Sequence, residues 1–195
     1  MTSLNLSNNK LGHKGTKLVA EAIKVNVSAL RFNCHHFELD LTSGSTAVVS
    51  GYSYYNTTKG ALVSANFLNN NIGAEQVQNL IAILKEHASL KSLCGNKGDE
   101  TVLDMSSKNI GADGAIMLVP EIVANGALLF LNIKDNRFGD EGKKVLGKAF
   151  LQSNVQFVVC DEWSITQETT LLNVSGKALK PVDAMLLGGV VHNNK

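Results

Sequence analysis

Apolar and polar positions recur along this chain in a fixed unit. Between residues 128 and 138, Leu128, Leu131, Ile133 and Phe138 are spaced apolar-x-x-apolar-x-apolar-x-x-Asn-x-apolar, with Asn136 as the asparagine. Alternation at Leu131 and Ile133 predicts a short strand with one buried side. Asn136 then takes a corner, and Val145, Leu146, Ala149 and Phe150 fall at helical spacing. Each unit therefore reads as strand, corner and helix. The first repeats it with Leu4, Leu6, Asn9 and Leu11, and a helix over Lys17–Lys24 whose inner face is Leu18, Ala22 and Ile23. The third has Leu62, Ala65, Phe67, Asn70 and Ile72, then a stripe of Val77, Leu80, Ile81 and Leu84.

Other units depart from the pattern. The second has Leu39 and Leu41 inward but Gly44 at the asparagine position. It continues into a β-branched, tyrosine-rich stretch that predicts an extended or irregular segment instead of a helix. The fourth carries Leu103, Met105, Lys108 and Ile110, then a helix with Ala115, Leu118, Val119 and Ile122 inward. Pro120 lies within it and is expected to kink or shorten it. The sixth has Leu172, Val174, Lys177 and Leu179, then a helix opened by Pro181 and carrying Met185 and Leu186. Three further apolar strands end at Cys34, Cys94 and Cys160 and lack a helix of their own. These read as abbreviated repeats, with local antiparallel pairing after Cys34 and Cys94 as an alternative way back into register.

A corner asparagine satisfies backbone groups in a turn without sheet partners. The inward positions are buried only when another unit stacks beside them. The motifs Asn9–Gly12, Asn70–Glu75, Asn109–Gly114 and Asn136–Gly142 resemble the ribonuclease-inhibitor-like leucine-rich repeat family. The resemblance covers almost the whole chain and is weakest over residues 31–61. It implies an α/β leucine-rich repeat solenoid, curved, with a parallel concave sheet and outer helices, partly irregular around residues 31–61. The expected organisation is a single such domain over residues 1–195, with a fragment of a longer array as the alternative.

Composition narrows the function classes. The 195 residues carry a formal net charge of +1, so the basic field that nucleic-acid binding needs is lacking. No apolar run reaches membrane-spanning length, and direct membrane insertion is not expected. The first ten residues show no export signal, and three widely spaced cysteines suit free thiols better than a disulfide framework. An intracellular, cytoplasmic location is expected, with association with an organelle or a membrane complex left open.

Candidate chemistry is sparse. The outward position between the two inward strand residues is Asn5, Asp40, Asn66, Asp104, Asn132 and Asn173, all Asn or Asp. This predicts either a polar recognition strip or a ladder of side chains bonded across strands. Tyr52, Tyr54 and Tyr55, and secondarily Trp163, are candidate partner anchors, since aromatic residues dominate interface hot spots. Local packing is the competing account. Cys34, His35 and His36 lie near Glu38 and Asp40, but no second Cys/His pair completes a metal site. No catalytic residue, cofactor or metal is assigned, and no phosphate-binding glycine loop occurs. The expected function is a non-catalytic protein–protein interaction or scaffold module, a structural subunit of a larger assembly. The alternative is regulation of a small GTPase, which some proteins similar to this repeat pattern perform.

Overall fold

The computed structural model describes residues 2–25 and 62–194. Among these residues the chain is α/β, with five helices and two small sheets. In the first sheet β1 (Ser3–Asn5) and β2 (Ser64–Asn66) are parallel, with Leu4 opposite Ala65 and Asn5 opposite Asn66. In the second, β3 (Val102–Asp104), β4 (Phe130–Asn132) and β5 (Phe157–Val159) are parallel. The two-residue β6 (Ser164–Ile165) runs antiparallel to β5. The helices are α1 (Gly12–Val25), α2 (Ala74–Glu86), α3 (Ala112–Ala124), α4 (Gly139–Phe150) and α5 (Pro181–Asn193).

This arrangement overturns the expected solenoid with one curved parallel sheet. Two local causes are visible. After β2 pairs with the Ser92–Cys94 segment, the sheet stops. The outer side of that segment is closed by a side chain. The buried Glu121 of α3 accepts from the Leu93 and Cys94 N–H groups at 2.7 and 3.0 Å, and from the Ser92 hydroxyl and Asn96 amide at 2.9 and 2.8 Å. A carboxylate thus takes donors that a neighbouring strand would otherwise take. At the other end, the chain turns back after Cys160 into β6, and the Leu172–Leu179 stretch forms no strand. Of the three strands read as abbreviated repeats, Val155–Cys160 contains β5, Leu90–Cys94 makes two isolated bridges to β2, and the one ending at Cys34 lies outside the described residues. The irregular stretch expected over residues 31–61 lies outside them too.

The corners follow the chemistry expected of asparagine. Asn70 is fully buried and donates to the carbonyls of Leu6, Phe67 and Leu68, while its oxygen accepts from Asn9 N–H. Asn136 repeats this, donating to Met105, Ile133 and Lys134 and accepting from Ile110 N–H. Each corner amide therefore ties its own turn to the preceding one. Lys108 cannot offer both donor and acceptor, and the corner that carries it follows the sheet break. Side chains bridge that break: Asn69, itself bonded to Asn8 of the first unit at 2.8 Å, accepts from Asn109 at 2.9 Å, and the Gly73 N–H donates to Asp113.

The helices bury faces slightly rotated from those read in the sequence. In α1 the buried residues are Thr16, Val19, Ala20 and Ile23, with Leu18 and Ala22 half-buried. In α2 they are Gln76, Val77, Leu80 and Ile83. Pro120 does not shorten α3, which at 13 residues equals α2 in length. Helices α4 and α5 cross closely at Gly147 and Gly189. A methyl group on Gly189 would lie 2.6 Å from the Gly147 carbonyl oxygen.

Candidate functional site

The polar strip has a local purpose. In every described unit its side-chain oxygen accepts from the backbone N–H two residues on: Asn5 from Ser7, Asn66 from Leu68, Asp104 from Ser106, Asn132 from Lys134 and Asn173 from Ser175, at 2.9–3.2 Å. These are Asx turns that start each corner. The expected ladder bonded across strands is replaced by them. The strip is also divided: Asn5 faces Asn66 in one sheet and Asp104 faces Asn132 in the other, where Val159 follows. Asn173 belongs to no strand. Asp40, Tyr52, Tyr54 and Tyr55 lie outside the described residues, as do Cys34, His35, His36 and Glu38.

Trp163 is a core residue, 5% exposed, so it offers no surface to a partner. It closes the turn between β5 and β6, where its carbonyl accepts from the Cys160 N–H at 3.0 Å and from Cys160 Sγ at 3.2 Å. Burial pushes the Cys160 thiol up to about 12. Burial and the Glu121 carboxylate likewise push Cys94 well above the ordinary thiol range. Both are packing groups in protonated form, unsuited to nucleophilic work.

The charged cluster of Lys143, Glu162 and Asp183 binds α4, the β5–β6 turn and α5 together. Lys143 donates to Asp183 at 2.7 Å and to Glu162, and Asp183 also accepts from the Lys180 N–H that opens α5. Burial opposes the charge of Lys143, but its two carboxylate partners outweigh that and hold its ammonium above the usual lysine range. Such a lysine stays protonated and acts as a tie. Among the described residues no group of three or more His, Cys, Asp or Glu side chains is placed to hold a metal ion.

An apolar row lies on the second sheet one step before the polar strip. Val102, Phe130 and Phe157 stand directly opposite one another on β3, β4 and β5. Their alternation opposite the buried Leu103, Leu131 and Val158 turns them to the outer face. Val102 is 62% exposed and the adjoining Leu129 37%. Together with Thr101 and the Thr166–Glu168 turn they line a groove of about 540 Å³. That turn is internally bonded: Thr166 N–H donates to Thr169 Oγ1 at 2.9 Å, and Thr169 N–H to the Thr166 carbonyl at 3.1 Å. The groove thus has an apolar floor and a preformed polar wall.

Sequence reasoning passed over these residues, although a signal was present. The equivalent positions in the first sheet are Ser3 and Ser64. The change from serine to Val, Phe and Phe at this strand position marks an apolar row, of which Phe157 also packs against the core. Among the described residues no helix is long and apolar enough to cross a membrane. Comparisons with family models, curated proteins and solved structures gave no match to this chain.

Proposed function

We propose that this chain is a non-catalytic protein–protein interaction module that serves as a subunit of a larger assembly. The observation that supports it is the row of exposed Val102 and half-buried Phe130 and Phe157 in a preformed groove. Apolar side chains aligned on an open sheet face lose water favourably when a partner covers them. Beside the row, the Asn132 side-chain oxygen is taken up by its Asx turn, whereas Asp104 uses only one of its two carboxylate oxygens there.

Affinity capture with the full chain tests this, comparing wild type with Val102→Asp. Val102 is exposed on a terminal strand of its sheet, so the substitution leaves the core intact. A stoichiometric protein retained by wild type and lost by the variant is the expected result. Equal retention removes the groove as the contact, and absence of any stoichiometric protein counts against the module. Regulation of a small GTPase is separated by adding the chain to a panel of such enzymes. Faster GTP hydrolysis would replace the passive reading.

A further inference from the structure

We propose that the groove accepts an extended segment of a partner protein in which an apolar side chain lies beside a lysine or arginine; this rests on the interaction reading above. Three features support the assignment. On β3 and β4 the apolar floor is one side-chain row deep, because the next row there is Asp104 and Asn132. A docking helix presents a stripe several turns long and would overrun it. An extended chain places single side chains and fits a shallow row.

The second feature is charge. Glu168 is the one charged residue among those lining the groove, it is exposed, and it takes part in no ion pair among the described residues. Asp104, one row away, adds a second carboxylate, held below the usual range by its hydrogen bonds from Ser106. A cationic side chain entering next to the apolar anchor meets Glu168 on the wall and aromatic rings on the floor, both of which favour a cation. The third feature is rigidity. The Thr166–Thr169 bonds fix the wall that carries Glu168, so little ordering is needed on binding.

Random linear peptides displayed on phage and selected on the immobilised full chain test this. Enriched sequences are expected to carry Phe, Leu, Ile or Val within two positions of Lys or Arg. A fluorescein-labelled peptide of the enriched sequence is then titrated by anisotropy against wild type, Val102→Asp, Glu168→Gln and Glu168→Lys. Val102→Asp is expected to abolish binding, and Glu168→Lys to weaken it about three- to tenfold. Exchanging the peptide's basic residue for Glu should restore binding to Glu168→Lys. Enrichment without basic residues, or indifference to Glu168→Lys, overturns the charge pairing while leaving the groove as a protein site. Failure to enrich any linear sequence overturns the extended segment, and capture of a folded partner that Val102→Asp releases would still support the interaction reading. Binding that ignores Val102→Asp overturns both.

Discussion

Replacing Glu121 tests the account of why the sheet is divided. Its carboxylate holds two backbone N–H groups, a hydroxyl and a side-chain amide in a buried site. In Glu121→Ala the Leu93 N–H, the Ser92 hydroxyl and the Asn96 amide lose this acceptor, while Cys94 N–H keeps the Ser92 hydroxyl oxygen at 3.1 Å. Three orphaned buried donors at about 1–3 kcal/mol each give a gross loss of roughly 3–9 kcal/mol. Relief of the buried charge offsets part of this, which places the expectation near 3 kcal/mol. Glu121→Gln keeps the shape. Its NH₂ finds an acceptor in a flipped Asn96 but meets Ser92 donor to donor, since the Ser92 hydroxyl oxygen already accepts from the Cys94 and Asn96 N–H groups, so about 1–2 kcal/mol is expected. Urea unfolding followed by emission of Trp163, the single tryptophan and a buried one, reads both. Burial raises the Glu121 pKa above 4.5 against the pull of its donors. A folded-state carboxylate pKa above the unfolded value means that the native state binds the proton more tightly. Wild type should therefore lose stability as pH rises from 4.5 through the raised value, and Glu121→Gln should lack that slope. An alanine variant within about 0.5 kcal/mol of wild type would refute the carboxylate as a stand-in for a strand.

Other expectations follow from the same geometry. Gly189→Ala should destabilise by about 1–3 kcal/mol, because its methyl group meets the Gly147 carbonyl, whereas Gly188→Ala, with open space around it, should stabilise by about 0.5–1 kcal/mol. Thermal melts showing equal effects would contradict the close α4–α5 crossing. Asn70→Ala should cost about 2–4 kcal/mol by freeing carbonyls in two corners, and Asn5→Ala, which opens one exposed Asx turn, under about 1 kcal/mol; reversal of that order in urea titrations would contradict the corner assignment. Burial alone would raise Asp183, but bonds from Lys143 and the Lys180 N–H outweigh it and hold its carboxyl below 3.8. Its stabilisation is present above 3.8 and disappears as pH falls through the lowered value. Asp183→Asn should flatten acid denaturation below 3.8, and an unchanged acid limb would discount the tie.

Much of the local structure was legible. Leucine spacing placed β1 and β4, and the asparagine corners explained how turns join. The five described helices all follow corners read from the sequence. The division of the sheet was not legible, because Glu121 sits on the buried face of a helix that reads as ordinary amphipathic pattern. Nothing in its spacing says that its carboxylate will reach a neighbouring segment's backbone. The antiparallel return at β6 was equally hidden, since it depends on Trp163 packing inward across a turn of a few residues. The bonding of the polar strip was not legible in its spacing. The described Asn and Asp of the strip bond their own backbone, whereas the apolar row stands out by changing between units.

The reversal at β6 bears on where the sheets of neighbouring molecules can join. Intermolecular sheet growth needs a long, flat border with free amides. On the β6 side that border is two residues long and points against its neighbours, a poor template for an incoming parallel chain. Among the described residues the three-residue borders at β1 and β3 are then the sides to protect in concentrated solution, and charged residues introduced there should suppress fibre formation more than the same change on β6.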